Sequence, residues 1–199
     1  CAFFPAGTFI SERMFLIAEM TSDGFVTDNQ FSANGGNGFG CDDCGATVMF
    51  TANRVEWNGG YGLFIHAGDD WNVTGNSFDR NCEAGLYALK ASAVAITGNV
   101  FRRCGKDAGM LAEGERSCQV RLEECRGLSM TGNTCLAGQD DGGKGLFTPQ
   151  VGFILKNLSH TVISSNTLWN GYMEDLLVDL GGHGKDFIFK DNVGCAKRA

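Results

Sequence analysis

Proline is nearly absent from this chain, with 2 residues among 199, yet turns are not short, because glycine stands at 29. So little proline excludes a polyproline rod or a proline-rich linker. A hydrophobic content of 43% excludes a disordered, low-complexity segment. No apolar run approaches the roughly 20 residues that cross a bilayer as a helix. No signal-peptide pattern is visible, and the chain opens on Cys1 rather than methionine, as a processed, truncated or excised piece would.

Positive charge is also in short supply. Sixteen Lys and Arg against 23 Asp and Glu leave a net charge of −7. A nonspecific nucleic-acid binder needs a basic footprint, and attraction to an anionic membrane needs one too, so neither partner is expected. An acidic polysaccharide would require a local basic patch. The nine cysteines are an odd number, so one at least has no partner within the chain. Cys41 and Cys44 form a CxxC with no second CxxC to complete a zinc site, which favours a disulfide or buried thiols there over a metal.

What the chain does have is a repeat. FVTDNQF (25–31), NVTGNSF (72–78), AITGNVF (95–101), SMTGNTC (129–135) and VISSNTL (162–168) align, with weaker copies MFTANRV (49–55) and IFKDNVG (188–194). The shared asparagines are Asn29, Asn53, Asn76, Asn99, Asn133, Asn166 and Asn192, spaced 24, 23, 23, 34, 33 and 26 residues apart. A period near 23 with stretched members suits a coil carrying loop insertions, here expected around 113–127 and 137–150. Three residues before each asparagine stand Val26, Phe50, Val73, Ile96, Met130, Ile163 and Phe189; two after stand Phe31, Val55, Phe78, Phe101, Cys135 and Leu168. A helical period would not keep these on one face, whereas strand alternation does. The asparagine then sits at a bend between two short strands, its amide donating to one coil and accepting from the next in a ladder along the axis.

A second strand precedes each bend, its register set by Gly62, Gly85 and Gly152, each 14 residues before its asparagine. Matching the other coils by apolar alternation gives inward rows Leu16, Phe39, Leu63, Leu86, Met110, Phe153, Leu176 and Ala18, Cys41, Ile65, Ala88, Ala112, Leu155, Val178. The predicted architecture is an all-β solenoid, a right-handed parallel β-helix of about seven coils with three short strands per coil, in one domain over 1–199.

The TGN-x-F repeats resemble the parallel β-helix repeat of the pectate-lyase-like superfamily, across residues 24 to 194. FFPAGTF at 3–9 resembles the phrase that enters the first coil of such domains, phage tailspikes and polysaccharide lyases among them. Those relatives carry a glycine- and aspartate-rich stretch and a capping helix ahead of it. Their lack here implies a cap in a longer parent polypeptide or from a partner. The resemblance implies a fold and no single activity, since the superfamily holds lyases, hydrolases, epimerases and non-enzymatic spikes.

Relatives of this kind place their groove on an outward sheet face. The same register predicts one outward row of Glu19, Asp42, His66, Leu89, Glu113, Lys156 and Asp179, and a neighbouring row of Ile17, Gly40, Phe64, Tyr87, Leu111, Ile154 and Leu177. Asp42 beside His66 could orient the imidazole as a general base or acid. Glu113, Lys156 and Asp179 are the further catalytic candidates; Phe64, Tyr87 and Glu19 are candidates for holding substrate, the two rings as a sugar platform. The same charges also fit a plain ladder of opposite signs on neighbouring strands. The apolar second row calls for a covering loop, a sugar, or another subunit, as in a trimeric homo-oligomer. His160 and His183 fall near turns and read as surface residues. The acidic pairs Asp42-Asp43, Asp69-Asp70 and Asp140-Asp141 are the candidates for Ca2+, though solvated turns explain them better. Cys82 and Cys104, on neighbouring coils, are candidates for a disulfide; Cys118, Cys125 and Cys135 compete for another. The expected function is an extracellular or surface-associated carbohydrate-active β-helix that binds or cleaves a polysaccharide as a lyase or hydrolase. The alternative is a non-catalytic tailspike-like or adhesin module.

Overall fold

The computed structural model describes residues 2–4, 8–9, 16–18, 23–43, 47–136, 145–169, 173 and 175–194. Its strands are parallel and fall into three sheets of eight, seven and seven members. Successive strands of the chain go to successive sheets, so each turn of the chain lays one strand on each. This is the predicted parallel β-helix. Among the described residues the only helix is a 3-10 turn, Ala108–Met110.

The repeat explains itself at the first corner. The residue before each ladder asparagine has a left-handed backbone: Asp28, Ala52, Gly75, Gly98, Gly132, Ser165 and Asp191, with φ between 55° and 66°. Glycine adopts that conformation at no steric cost, which accounts for the TGN spelling of three coils. The asparagine that follows turns inward. Asn76 Nδ2 donates to Asn99 Oδ1 at 2.9 Å and to Phe50 O at 2.9 Å. Asn53, Asn99, Asn133 and Asn166 repeat the arrangement. Asn53, Asn76, Asn99, Asn133 and Asn166 are at most 2% exposed. Burial leaves their amides no water, so each polar atom must find its partner in an adjoining coil.

A second ladder, which the sequence reading missed, lines the next corner. Ala33, Trp57, Arg80 and Arg103 are left-handed there, and Asn34, Asn58, Asn81 and Cys104 follow them. Asn34 Nδ2 donates to Asn58 Oδ1 and Asn58 Nδ2 to Asn81 Oδ1, both at 2.8 Å; Asn81 Nδ2 then reaches Cys104 Sγ at 3.5 Å. Cys104 is therefore a buried thiol, and the expected Cys82–Cys104 disulfide does not form. Nor are Cys118, Cys125 and Cys135 bridged to one another. Burial pushes the Cys104 and Cys118 thiols up to about 12. Cys41 is disulfide-bonded.

Inside lies a column of stacked apolar rows, including Phe31, Phe39, Phe50, Phe78, Phe101 and Phe153, all wholly buried. Phe78 and Phe101 stack at 4.9 Å between centroids, on neighbouring coils. At Gly62 the row leaves no room for a side chain: a Cβ there would lie 2.5 Å from Gly85 O and 2.8 Å from Asn81 Nδ2.

The predicted register holds from Phe39 to Leu89 and fails on either side. Leu86 to Leu89 pair with Val120 to Glu123, not with Met110 to Glu113. The insertion thus precedes this strand, as a lobe over 103–117, instead of following it. Leu177 pairs with Phe153 and Asp179 with Leu155, one residue from the predicted match with Lys156. Leu16 to Ala18 pair with Gly40 to Asp42, again one residue off, and Glu19 lies outside the described residues. The loop 138–145 lies outside them too, except Gly145.

Candidate functional site

The outward face of the third sheet is carried by the strands Phe39–Asp42, Leu63–His66, Leu86–Leu89, Cys118–Glu123 and Val151–Lys156. Alternation turns Leu63 and Ile65 into the core and leaves Phe64 and His66 outside. In the observed register one outward row is Asp42, His66, Leu89, Glu123 and Lys156, and the next is Gly40, Phe64, Tyr87, Arg121 and Ile154.

At one end of the face, His66 Nδ1 lies 2.6 Å from Asp42 Oδ1, with the imidazole 32% and the carboxylate 60% exposed. With the neutral imidazole, a proton on Nδ1 donates to Asp42 and leaves the Nε2 lone pair as a base. Beside it runs an aromatic strip. Phe64 stacks on His66 at 6.1 Å and an interplanar angle of 6°, and packs against Tyr61 at 5.4 Å and Tyr87 at 5.3 Å. Tyr61 closes the group 5.1 Å from Tyr87. Burial, followed by the Glu83 carboxylate, raises the Tyr61 phenol above its ordinary value.

At the other end is a charged unit. Glu123 Oε2 accepts from the Tyr87 hydroxyl at 2.8 Å, and Oε1 accepts from Arg121 Nη2 at 2.8 Å. The Arg121 guanidinium stands 5.4 Å from the Tyr87 ring centroid. Burial alone would raise Glu123; the bonds from Arg121 and Tyr87 and the charges of Arg121 and Lys156 outweigh it and hold the carboxyl below its ordinary value. Burial and the bond to Glu123 drive the Tyr87 phenol well upward. The rim carries two more ion pairs, Lys106 with Glu83 and Arg116 with Asp175, the second at 2.8 Å.

Asp42, His66, Phe64, Tyr87 and Lys156 are thus brought onto one face. Glu113 is not: it stands in an exposed turn, and Glu123 occupies its expected place. Asp179 is not either; it turns away to bond His183 Nε2 at 2.8 Å and Gly181 N at 2.8 Å. His183, expected at the surface, has a side chain only 8% exposed, stacked on Phe187 and accepting from Leu158 N at 3.0 Å. His160 is exposed and pairs with Asp186. Ile154 of the apolar row is buried with Ala84, Cys118 and Val151, so part of that row is covered within the chain itself. Sequence reasoning missed Tyr61, Arg121 and Glu123. Counting 14 residues back from Asn133 reaches Gln119, and from it Arg121 and Glu123, but the marker glycine is replaced there. Gln119 is wholly buried, accepting from Cys104 N and donating to Leu136 O. Among the described residues no group of three or more His, Cys, Asp or Glu is placed to hold a metal ion.

Three parallel sheets, an internal asparagine ladder and a polar outward face define the class. The chain belongs to the right-handed β-helix family, whose model, a right handed beta helix region, matches residues 14–137. Among solved structures it is similar to the A-module of the mannuronan C-5 epimerase AlgE6 from Azotobacter vinelandii, with a TM-score of 0.58 and 14% identity, over 98% of this chain and 60% of that one. It is also similar to the periplasmic alginate epimerase AlgG, with a TM-score of 0.49 and 13% identity, over 93% of this chain and 45% of that one. At such identities the likeness is one of fold. The chain spans 60% or less of the length of these two proteins.

Proposed function

We propose that this chain binds an extended polysaccharide across the outward face of the third sheet, and that His66 acts there as a proton-transfer group on a uronate. The observation that carries the reading is the His66–Asp42 contact set against an outward, half-buried aromatic strip. Sugar faces stack on aromatic rings, and Phe64 and Tyr87 occupy the same row on adjacent strands, along the direction in which a glycan would run.

The spacing of carboxylates separates the two candidate chemistries. Glycosidases work with two carboxyl groups about 5–9.5 Å apart. Asp42 and Glu123 lie on strands three steps apart, about 14 Å at the backbone, and both oxygens of Glu123 are occupied by Tyr87 and Arg121. Paired-carboxylate hydrolysis is therefore poorly served. Removal of the proton beside a uronate carboxylate takes one base rather than a pair of carboxylates. His66 Nε2 would take that proton; the electron pair left on carbon would either expel the sugar oxygen on the next carbon, which is protonated by water, as a lyase does, or take a proton from water on the opposite face, as an epimerase does, the imidazolium giving its proton to the hydroxide left in either case. Arg121 and Lys156 are the local cations that a chain of net charge −7 needs to meet a polyanion. A protein of the same fold, the mannuronan C-5 epimerase, acts on such a polymer by its name. The Cys41 disulfide suits an oxidising, extracellular or surface setting.

A second reading, a binding module without chemistry, is favoured by one observation. Leu89 stands between His66 and Glu123, so the row offers a single proton-transfer group. Incubating the protein with polyuronates and neutral glycans tests both. Unsaturated ends or inverted sugar residues from polyuronates alone are expected. Binding without products would select the module; products only from neutral glycans, or no binding at all, would refute the proposal.

A further inference from the structure

Arg121 is held in an unusual way. Its Nε is buried without a hydrogen-bond partner, its guanidinium lies over Tyr87, and its bond to Glu123 Oε1 is its one directional restraint among the described residues. Glu123 is itself held: its side chain is 11% exposed and its second oxygen accepts from the Tyr87 hydroxyl. Planar guanidinium recognition of an anion depends on pose as well as charge. Arg121 stands two strands from Phe64 and His66, about 10 Å along the axis. An extended glycan covers that interval with about two sugar residues.

Resting on the reading of this face as a glycan site, we propose that Glu123 is a positioning residue: by clamping Arg121 onto Tyr87 it presents the guanidinium to the anionic group of a sugar about two residues away from the one at His66. Neither residue touches the reacting sugar. Together they make the site read length, since a ligand too short to reach Arg121 gains nothing from it. Removing Glu123 also unmasks a positive charge, which attracts anionic ligands whatever its pose, and the longer, more highly charged ones the more. Raised salt screens that attraction, so the ratio of affinities for long and short ligands, taken at raised salt, isolates the pose.

The test measures dissociation constants of oligouronates from the disaccharide to the hexasaccharide, by calorimetry, on the whole chain and on its Glu123→Ala, Arg121→Met and doubly substituted forms. Wild type is expected to prefer the hexasaccharide. Each single substitution should shrink that preference about tenfold, as loss of one charge-assisted contact does, and the double should lose no more than either single. Glu123→Gln, which preserves shape and keeps an oxygen toward Arg121, should lose less and covers the case in which Glu123→Ala fails to fold. Without ligand, Glu123→Gln should also lower the pH at which the Tyr87 phenolate band appears, with Tyr87→Phe identifying that band. An unchanged preference in Glu123→Ala, or losses that add in the double form, overturns the proposal. If wild type binds no oligouronate of any length, the underlying site reading fails with it; the Tyr87 shift needs no ligand and shows whether the clamp itself exists, so the two failures are told apart.

Discussion

Asn99 is the ladder position where the structure allows the fullest estimate. Its side chain is wholly buried and uses all four of its hydrogen-bonding sites: Oδ1 accepts from Asn76 N and Asn76 Nδ2, and Nδ2 donates to Val73 O and Asn133 Oδ1, at distances of 2.9 to 3.0 Å. Asn99→Ala removes all four and leaves two donors of Asn76 facing a dry gap. At about 1 kcal/mol net for each of the four bonds, with a further cost for donors that water cannot reach, the loss comes to about 4 kcal/mol or more. For a domain of this size about 2–4 °C is lost per kcal/mol, so Tm should fall by roughly 10 °C or more. Asn99→Asp fills the same volume and can still accept from Asn76, but it cannot donate and it buries a charge; it should be no more stable than Asn99→Ala at neutral pH and should recover in acid, where the protonated carboxyl donates once. Thr97→Ala, on the exposed outward face two residues away, is the reference and should shift stability by no more than about 0.5 kcal/mol. Thermal melts followed by circular dichroism read all three. If Asn99→Ala melts with Thr97→Ala, the ladder is an ornament of the fold and the reasoning is wrong.

Other predictions follow from the same geometry. Gly62→Ala forces a Cβ to within 2.5 Å of Gly85 O and should cost about 1–3 kcal/mol or more in a melt; Gly98→Ala, at φ +64° with open space around it, should cost only the left-handed penalty of about 1–2 kcal/mol. Glu123 titrates below its ordinary value when folded, so its bonds stabilise the fold at neutral pH and that share is lost as pH falls below about 4 and through the folded value. Glu123→Gln should therefore show a shallower loss of Tm on acidification, and an identical acid slope would refute the assignment. Phe64→Ala removes the ring that joins His66, Tyr61 and Tyr87, and should weaken glycan binding about tenfold by calorimetry, with about 1 kcal/mol lost from stability.

The fold was legible because every coil is forced to repeat one solution. An inward amide must meet the next amide, and a left-handed corner favours glycine before it, so the asparagines and the TGN phrase stand out without any alignment to other chains. The second ladder was harder to see because its corner residues, Ala33, Trp57, Arg80 and Arg103, have nothing in common but their backbone, and its fourth rung is a cysteine. The site was legible where the coils are 23 or 24 residues long: Asp42, His66, Phe64 and Tyr87 fell where expected. It was lost where Gln119 replaces the register glycine. There Met110 and Ala112 mimic the inward alternation, although Met110 is 48% exposed and the true inward residues are Val120 and Leu122. Asp179 was misplaced for a related reason: the long corner after it draws the strand end round to His183, and no apolar pattern marks that displacement.

Proton transfer by His66 on a uronate held along the aromatic strip is the proposed chemistry. Wild type and His66→Ala, incubated side by side with a polyuronate under identical conditions and followed for unsaturated ends and for inverted residues by nuclear magnetic resonance, address it most directly. Product is expected from wild type, none from His66→Ala, and polymer binding by both. Equal product from both proteins would contradict it.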